Sequence, residues 1–478
     1  MLMNEIWDHG RLLRIILIGA LIALLGITPL SKSVISGYEG LSAAQDETPP
    51  EDAALHLATL AEHQPWRSGF WEAAGNAALL AGDQSEASGY FAQAAAKGEL
   101  SLPGYLAWGD AEKRADNPQI AHQIWQIAEN IGAPADEILV RQVETYREFG
   151  DDLALIDTLQ QMLQNMPDDR DLNLELGLLY AAYDPGSALT YLTNAAELDP
   201  TLKPHIQNIK EEIQQALSFD DPAYVFVISG RALANHGYWA LAEKAFENAI
   251  DLHPEYAEAW AYLGEARQQH ASQNDPFVAL ETALKLNPAS IAVNTFMALY
   301  WQRQDEDEKA LDYLQTAATI DPDNPAYLVE IGKLVALLGD IKTGEAYLKQ
   351  AILLSSEDPK YMLEFLKFST QFNLNLRDVA LPLARQLVIR HPNDPAFLDI
   401  MGIILLRLGD TLDSERFFLR ALDQSPDYDM AHLHLGDLYR GQGKHDLAQY
   451  HYGRVLEVSK NAQTLDRAQK SLDVFFSP

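Results

Sequence analysis

The chain has 478 residues, 47% of them hydrophobic, with 69 acidic against 35 basic residues and a formal charge of −34. That apolar share suffices for a folded core and sets general disorder aside, while the surplus of carboxylates repels phosphate backbones, so nucleic acid is not expected as a partner. The absence of cysteine excludes disulfides, thiolate metal sites, cysteine nucleophiles and lipid attachment through cysteine.

Ile15 to Ser31 carry no charge. A helix of that stretch is about 25 Å long, slightly short of a bilayer core, and Leu12 and Leu13 can extend it. Arg11 and Arg14 precede the run and Lys32 follows it, a balance that favours an N-terminus in the cytoplasm and a body outside it. Residues 1–31 are therefore expected to form a short tail and a single-pass membrane anchor, Ile15 to Leu30, with the rest on the extracytoplasmic side. A cleaved secretory signal is the alternative and would leave a secreted protein. Residues 32–50, small, polar and ending in two prolines, read as a linker.

Beyond the linker the same pattern returns with a period of about 34 residues. Glu51 to Gln64 places Ala54, Leu57 and Ala61 on one helix face, as an incomplete copy. Trp71, Gly75, Ala87, Phe91 and Ala94 make a fuller copy, and Tyr105, Trp108, Gly109, Ala121, Trp125 and Ala128 the next. Leu139, Tyr146, Leu155, Leu159 and Pro167 keep the helical spacing without the small residues; Leu176, Gly177, Tyr180, Ala188, Leu192, Ala195 and Pro200 restore them. The register then breaks. Ile206, Ile209, Ile213 and Leu217 lie at helical spacing, so Pro204 to Ser218 reads as an added helix, ended by Phe219 to Pro222. Residues 51–202 thus form a first array, 203–222 a joint and 223–462 a second array.

Tyr224 to Pro288 reads twice through the pattern. Phe226, Gly230, Leu233, Ala242, Phe246, Ala249 and Pro254 correspond to Trp260, Gly264, Arg267, Pro276, Leu280, Ala283 and Pro288. Trp260, Leu263, Gly264 and Arg267 share one helix face, as do Ala242, Phe246 and Ala249 on the following helix. The small residues mark where the two helices of a hairpin come close, and the prolines close each pair. Copies continue through Met297 and Pro322, Gly332 and Ala351, a longer imperfect copy from Leu363 to Pro392, Gly402 and Pro426, and Gly436 and Tyr452. Residues 463–478 close the array as a capping helix.

Trp260-x2-Leu263-Gly264, then Ala279 or Ala283 with Leu280, then Pro288, resembles a tetratricopeptide repeat, and the copy with Gly230, Ala242, Phe246, Ala249 and Pro254 is similar. The resemblance spans residues 51–462. It implies an all-α fold, a right-handed superhelix of helix-turn-helix repeats, here with an N-terminal transmembrane helix. It also implies a bacterial-type, membrane-tethered, non-enzymatic scaffold that binds a protein or peptide in the concave groove. Two rivals come from other classes: a soluble peptide- or glycan-binding protein after signal cleavage, and an accessory subunit of an enzyme whose active site lies on another chain.

No residue pattern points to catalysis, and no cofactor or metal is expected. Gly441-Gln-Gly443-Lys lacks the spacing of a phosphate loop and reads as a turn. His432, His434 and Asp437 do not share a helix face, so they do not converge on a metal. Asp321-Pro-Asp323-Asn324 has no glycine or terminal carboxylate where a calcium loop needs them. Some tetratricopeptide families grip a C-terminal carboxylate from inner slots, held here by Val227, Arg231, Tyr262, Ala292 and Phe296. Only the arginine fits, so that activity is not carried over.

In the family resembled, the first helix of each hairpin lines the groove. Its outward slots here hold Tyr224, Arg231, Tyr262, Glu265, Gln269, Phe296, Arg303, Lys333, Arg407, His434, Asp437 and Arg440, the expected partner-binding set, with Glu258, Glu330 and Asp399 in equivalent positions. Five acids and five bases balance among these fifteen, so the groove is expected to be less acidic than the chain as a whole. Packing between adjacent hairpins is the competing role for Tyr262 and Phe296.

Overall fold

A computed structural model describes residues 49–476, with side chains through residue 473. The expected anchor at Ile15 to Leu30, with the tail and most of the linker, lies outside the described residues. Among the described residues no helix is long and apolar enough to cross a membrane.

The described chain is all-helical, with twenty-five α-helices and no strand. Some of the acid serves to start them. Asp83, Asp151, Asp221, Asp275, Asp340, Asp358, Asp394 and Asp410 each cap a helix by accepting a hydrogen bond from a backbone N–H of its first turn. Each cap satisfies a donor that the helix itself leaves unpaired and sets a negative charge at the positive end of the helix dipole. Proline follows directly at 222, 276, 359 and 395, where its missing N–H costs nothing. Turns inside hairpins use left-handed glycines such as Gly237 (φ 83°) and Gly443 (φ 72°), so Gly441-Gln-Gly443-Lys is a turn between helices.

The helices pair into eleven hairpins among the described residues, and one contact recurs. A Cβ placed on Gly75 would lie 2.6 Å from the Phe91 ring, on Gly230 2.6 Å from Phe246, and on Gly436 2.6 Å from Tyr452. In each case glycine and ring are sixteen residues apart. Any side chain on the glycine would hold the two helices off each other, and the ring fills the space its absence leaves.

The chain divides into two compact units, one through Tyr180 with Ser187–Gln207, the other Ala181–Gly186 with Asn208 onward. The first contains the helix Pro50–His63, hairpins at 70–96, 102–130 and 135–165, and most of the helices Arg170–Tyr183 and Pro185–Leu198. In its third hairpin, buried Val143 and Leu155 stand where the preceding copy has Gly109 and Ala121. Its helices therefore close around larger side chains.

The division crosses the helix Lys203–Ala216, formed where an added helix was expected and with Ile206, Ile209 and Ile213 buried. The second unit continues with seven hairpins, at 222–252, 257–286, 291–320, 325–354, 359–390, 395–424 and 429–458, and the closing helix Ala462–Phe476. Its fifth hairpin is irregular. After Pro359–Gln371 the backbone turns through left-handed Asn373 and Asn375 (φ 56° and 46°) and a five-residue π-helix, Leu376–Ala380, before Leu381–Arg390. This is the copy whose sequence is longer and imperfect.

Candidate functional site

The first helices of the second unit share a face, and most of the expected partner-binding residues on it engage the neighbouring hairpin. Tyr262, half-buried, lies stacked on Phe246 at 5.4 Å between ring centres and meets Phe296 edge-on at 4.9 Å, with the Arg231 guanidinium 5.6 Å from its ring. Burial pushes the Tyr262 hydroxyl up, partly countered by Arg231. Glu265 is 6% exposed. Its oxygens accept from both terminal nitrogens of Arg303 at 2.7 Å and from Gln269 at 2.6 Å. Lys333 sits between Glu330 at 3.0 Å and Glu364 at 2.8 Å; burial disfavours its charge, but the two carboxylates outweigh that and raise its pKa. Tyr224 meets Phe219 edge-on at 5.3 Å.

Further along, the face opens. A cavity of about 520 Å³ lies between the first helices Pro359–Gln371, Pro395–Arg407 and Asp429–Gly441, with Arg467 of the closing helix at its side. Leu363, Ile400, Ile403, Leu406 and Met430 give it apolar walls. Asp399 and His434, both buried, pair across two hairpins at 2.8 Å, and the Phe418 ring stacks on the imidazole at 5.6 Å. Asp437 accepts from the Tyr452 hydroxyl at 2.6 Å and is also paired with Arg467 and, at 3.5 Å, Arg440. The acids of the cavity are thereby spent.

Besides the exposed Gln371 amide, two polar groups remain available. Arg407 is exposed and makes no hydrogen bond or ion pair with the described residues, and the Tyr428 hydroxyl makes no hydrogen bond with them either. Burial, then the charges of Asp399, Asp429 and Asp394, push the Tyr428 pKa up, so the hydroxyl stays neutral and can donate. The site thus combines an apolar hollow with a cation and a donor at its edge, the composition of a pocket that orients a ligand through a few polar contacts.

Of the expected residues, the structure brings Arg407, His434 and Asp437 together in this cavity, with Arg440 beside Asp437. Tyr262, Phe296 and Arg231 form one separate group, and Glu265, Gln269 and Arg303 another. His432 turns away from His434 and binds His451 at 2.9 Å in the core. No cluster able to hold a metal occurs among the described residues. Sequence reasoning missed Tyr428, Leu363 and Ile403 because a repeat pattern identifies faces, not gaps between them. The irregular copy at 363–392 was the available signal, since it forms one wall.

A model of the tetratricopeptide-repeat family matches residues 229–269, 365–429 and 401–462. The chain is 32% identical over 71 residues to the peroxisomal targeting signal receptor of Komagataella phaffii, a stretch covering 15% of this chain and 12% of that protein. It is 43% identical over 58 residues to a TPR repeat-containing protein of Pseudomonas aeruginosa, covering 11% and 10%. The chain therefore spans 17% or less of the length of these curated relatives. Similar solved structures include a tetratricopeptide repeat protein from Parabacteroides merdae, with 14% identity, TM-score 0.44 and coverage of 55% of this chain and 98% of that one. Yeast Tom70 is similar with 14% identity, TM-score 0.33 and coverage of 78% and 96%.

Proposed function

From the premise that this chain carries tetratricopeptide repeats, we propose that it is a non-enzymatic scaffold that binds a protein or peptide partner on the first-helix face of its second array. Residues Ile15 to Leu30 tether it to the cell membrane, and the repeats stand on the extracytoplasmic side, with array boundaries at 51–202 and 223–462. The observation that carries the reading is the cavity at Asp399, Arg407 and His434. Its walls are apolar, its buried acids are paired, and Arg407 and Tyr428 remain free to hold a partner. The name of the Komagataella relative is that of a receptor for a targeting signal, which supports the peptide-binding class while leaving the partner's identity to experiment.

The test is mild co-purification with the full chain and two variants. Arg407→Glu and Ile403→Asp should reduce recovery of the same partner at least tenfold, with helicity and thermal unfolding of Arg407→Glu unchanged. Glu247→Lys, on a second helix, should leave recovery intact. Undiminished recovery with both cavity variants would place the binding surface elsewhere.

A further inference from the structure

A second cavity, of about 340 Å³, lies wholly in the first unit among the helices Pro118–Asn130, Ala135–Phe149 and Asp152–Asn165. It adjoins the hairpin in which Val143 and Leu155 replace the small residues of the repeat. Departures from an otherwise consistent pattern tend to fall at functional places. Unlike the cavity of the second unit, this one is lined mainly by polar side chains.

Its floor is built around His122. The Gln142 amide nitrogen lies 3.0 Å and the Tyr146 hydroxyl 3.2 Å from His122 Nδ1. An amide nitrogen can only donate, so Nδ1 accepts and the proton of the neutral ring sits on Nε2. Gln142 is 9% exposed, and with its nitrogen committed to His122 its Oε1 has no hydrogen-bond partner among the described residues while the side chain lines the cavity. That oxygen opens onto the cavity, where it can accept a hydrogen bond from a bound donor. Thr158 donates to the Ala154 carbonyl at 2.8 Å, which leaves its oxygen as another acceptor.

The charges agree. Glu129 on one wall and Asp157 on another are exposed and make no ion pair with the described residues, and no lysine or arginine lines the cavity. Acceptors and negative charge therefore outnumber donors. We propose that this cavity binds a small organic cation, an ammonium or guanidinium group, whose N–H donors are taken up by Gln142 Oε1, Glu129 and Asp157. The site lies in the other unit from the proposed partner surface and does not rest on that reading.

Isothermal titration of the full chain with agmatine, with Nα-acetyl-lysine methylamide and with glucose tests it. Saturable one-to-one binding is expected for at least one of the two cations and not for glucose. Glu129→Gln with Asp157→Asn, and separately Gln142→Leu, should weaken it at least tenfold. Glu255→Gln with Asp323→Asn, which removes the same charge from exposed positions of the second unit, should leave affinity unchanged and so separates a site from general attraction to an acidic chain. Preference for agmatine identifies a free amine as the ligand; preference for the capped lysine identifies a side chain of a bound peptide. Absence of saturation, equal weakening by the control pair, or equal affinity for glucose would overturn the proposal. Thermal unfolding of each variant verifies that the fold is kept, and the exposed pair Glu129→Gln and Asp157→Asn keeps the test decisive should Gln142→Leu not fold.

Discussion

Arg303 reaches back over one repeat and closes both of its terminal nitrogens on the carboxylate of Glu265, at 2.7 Å each. The pair ties the end of one first helix to the middle of the preceding one. Glu265 is buried while the Arg303 side chain is 37% exposed, so removal of the arginine strands a carboxylate with little water to replace it. Arg303→Glu should therefore destabilise the second unit by about 2 kcal/mol, below the ~3–5 of a fully buried pair because solvent screens the outer partner. Chemical unfolding measures this, and the exchanged pair Glu265→Arg with Arg303→Glu should recover part of the loss. An Arg303→Glu protein as stable as the parent would show that the pair contributes nothing to the joint.

Tyr262 and Arg407 both belong to the expected partner-binding set yet should behave oppositely. Tyr262→Ala removes a ring held between Phe246 and Phe296 and should cost about 2 kcal/mol, a part-buried fraction of the usual loss on truncating an aromatic residue. Arg407→Ala removes a side chain without a protein partner and should shift stability by less than about 0.5 kcal/mol. Parallel thermal melts decide it, and equal losses would contradict the assigned difference.

Gly264 faces Leu280 so closely that a Cβ there would lie 2.5 Å from Leu280 Cγ and 3.1 Å from the Pro276 carbonyl oxygen. Gly264→Leu should overpack the hairpin and cost about 1–3 kcal/mol. Because repeats contact mainly their neighbours, amide exchange should quicken across residues 222–320 and hardly change near 429–458. Uniform acceleration along the whole second unit would mean that the hairpins unfold as one block.

The core pair His432 and His451 makes stability depend on pH. His432 Nε2 donates to the Pro426 carbonyl at 3.0 Å, so its Nδ1 accepts from His451 Nδ1 at 2.9 Å. Burial, reinforced by His432, depresses the His451 pKa to about 4, and burial also lowers that of His432. A base with a lowered folded pKa favours the folded state while neutral: its contribution is complete above about pH 6.5 and is lost as pH falls toward 4. Up to about 3 kcal/mol is at stake for His451. Unfolding midpoints between pH 7 and 4 should fall more steeply for the parent than for His451→Phe; identical slopes would remove the pair as the cause.

For the tether, the hypothesis rests on the uncharged run from Ile15 to Ser31. Protease added to intact spheroplasts should digest the repeats. Digestion only after lysis would reverse the orientation, and a mature chain beginning beyond residue 31 would establish a cleaved signal.

The sequence by itself pointed to the helical hairpins and to an added helix at Pro204 to Ser218, where the structure has Lys203–Ala216. Those features follow from local rules: apolar spacing within a helix, aspartate and proline at its start, glycine at its turn, and a glycine set sixteen residues before a large side chain. It also placed Arg303 and Arg407 in equivalent slots of the repeat. Tertiary structure alone decided that Arg303 is spent on Glu265 while Arg407 stays free beside an open cavity, and that Gln142 is left with an unpaired oxygen in the first unit. Contacts such as Glu265–Arg303 and Asp399–His434 join residues 38 and 35 apart. Whether they form depends on how far one hairpin is displaced against the next, and that displacement is set by the summed volume of every side chain between them, which no single helix's periodicity contains.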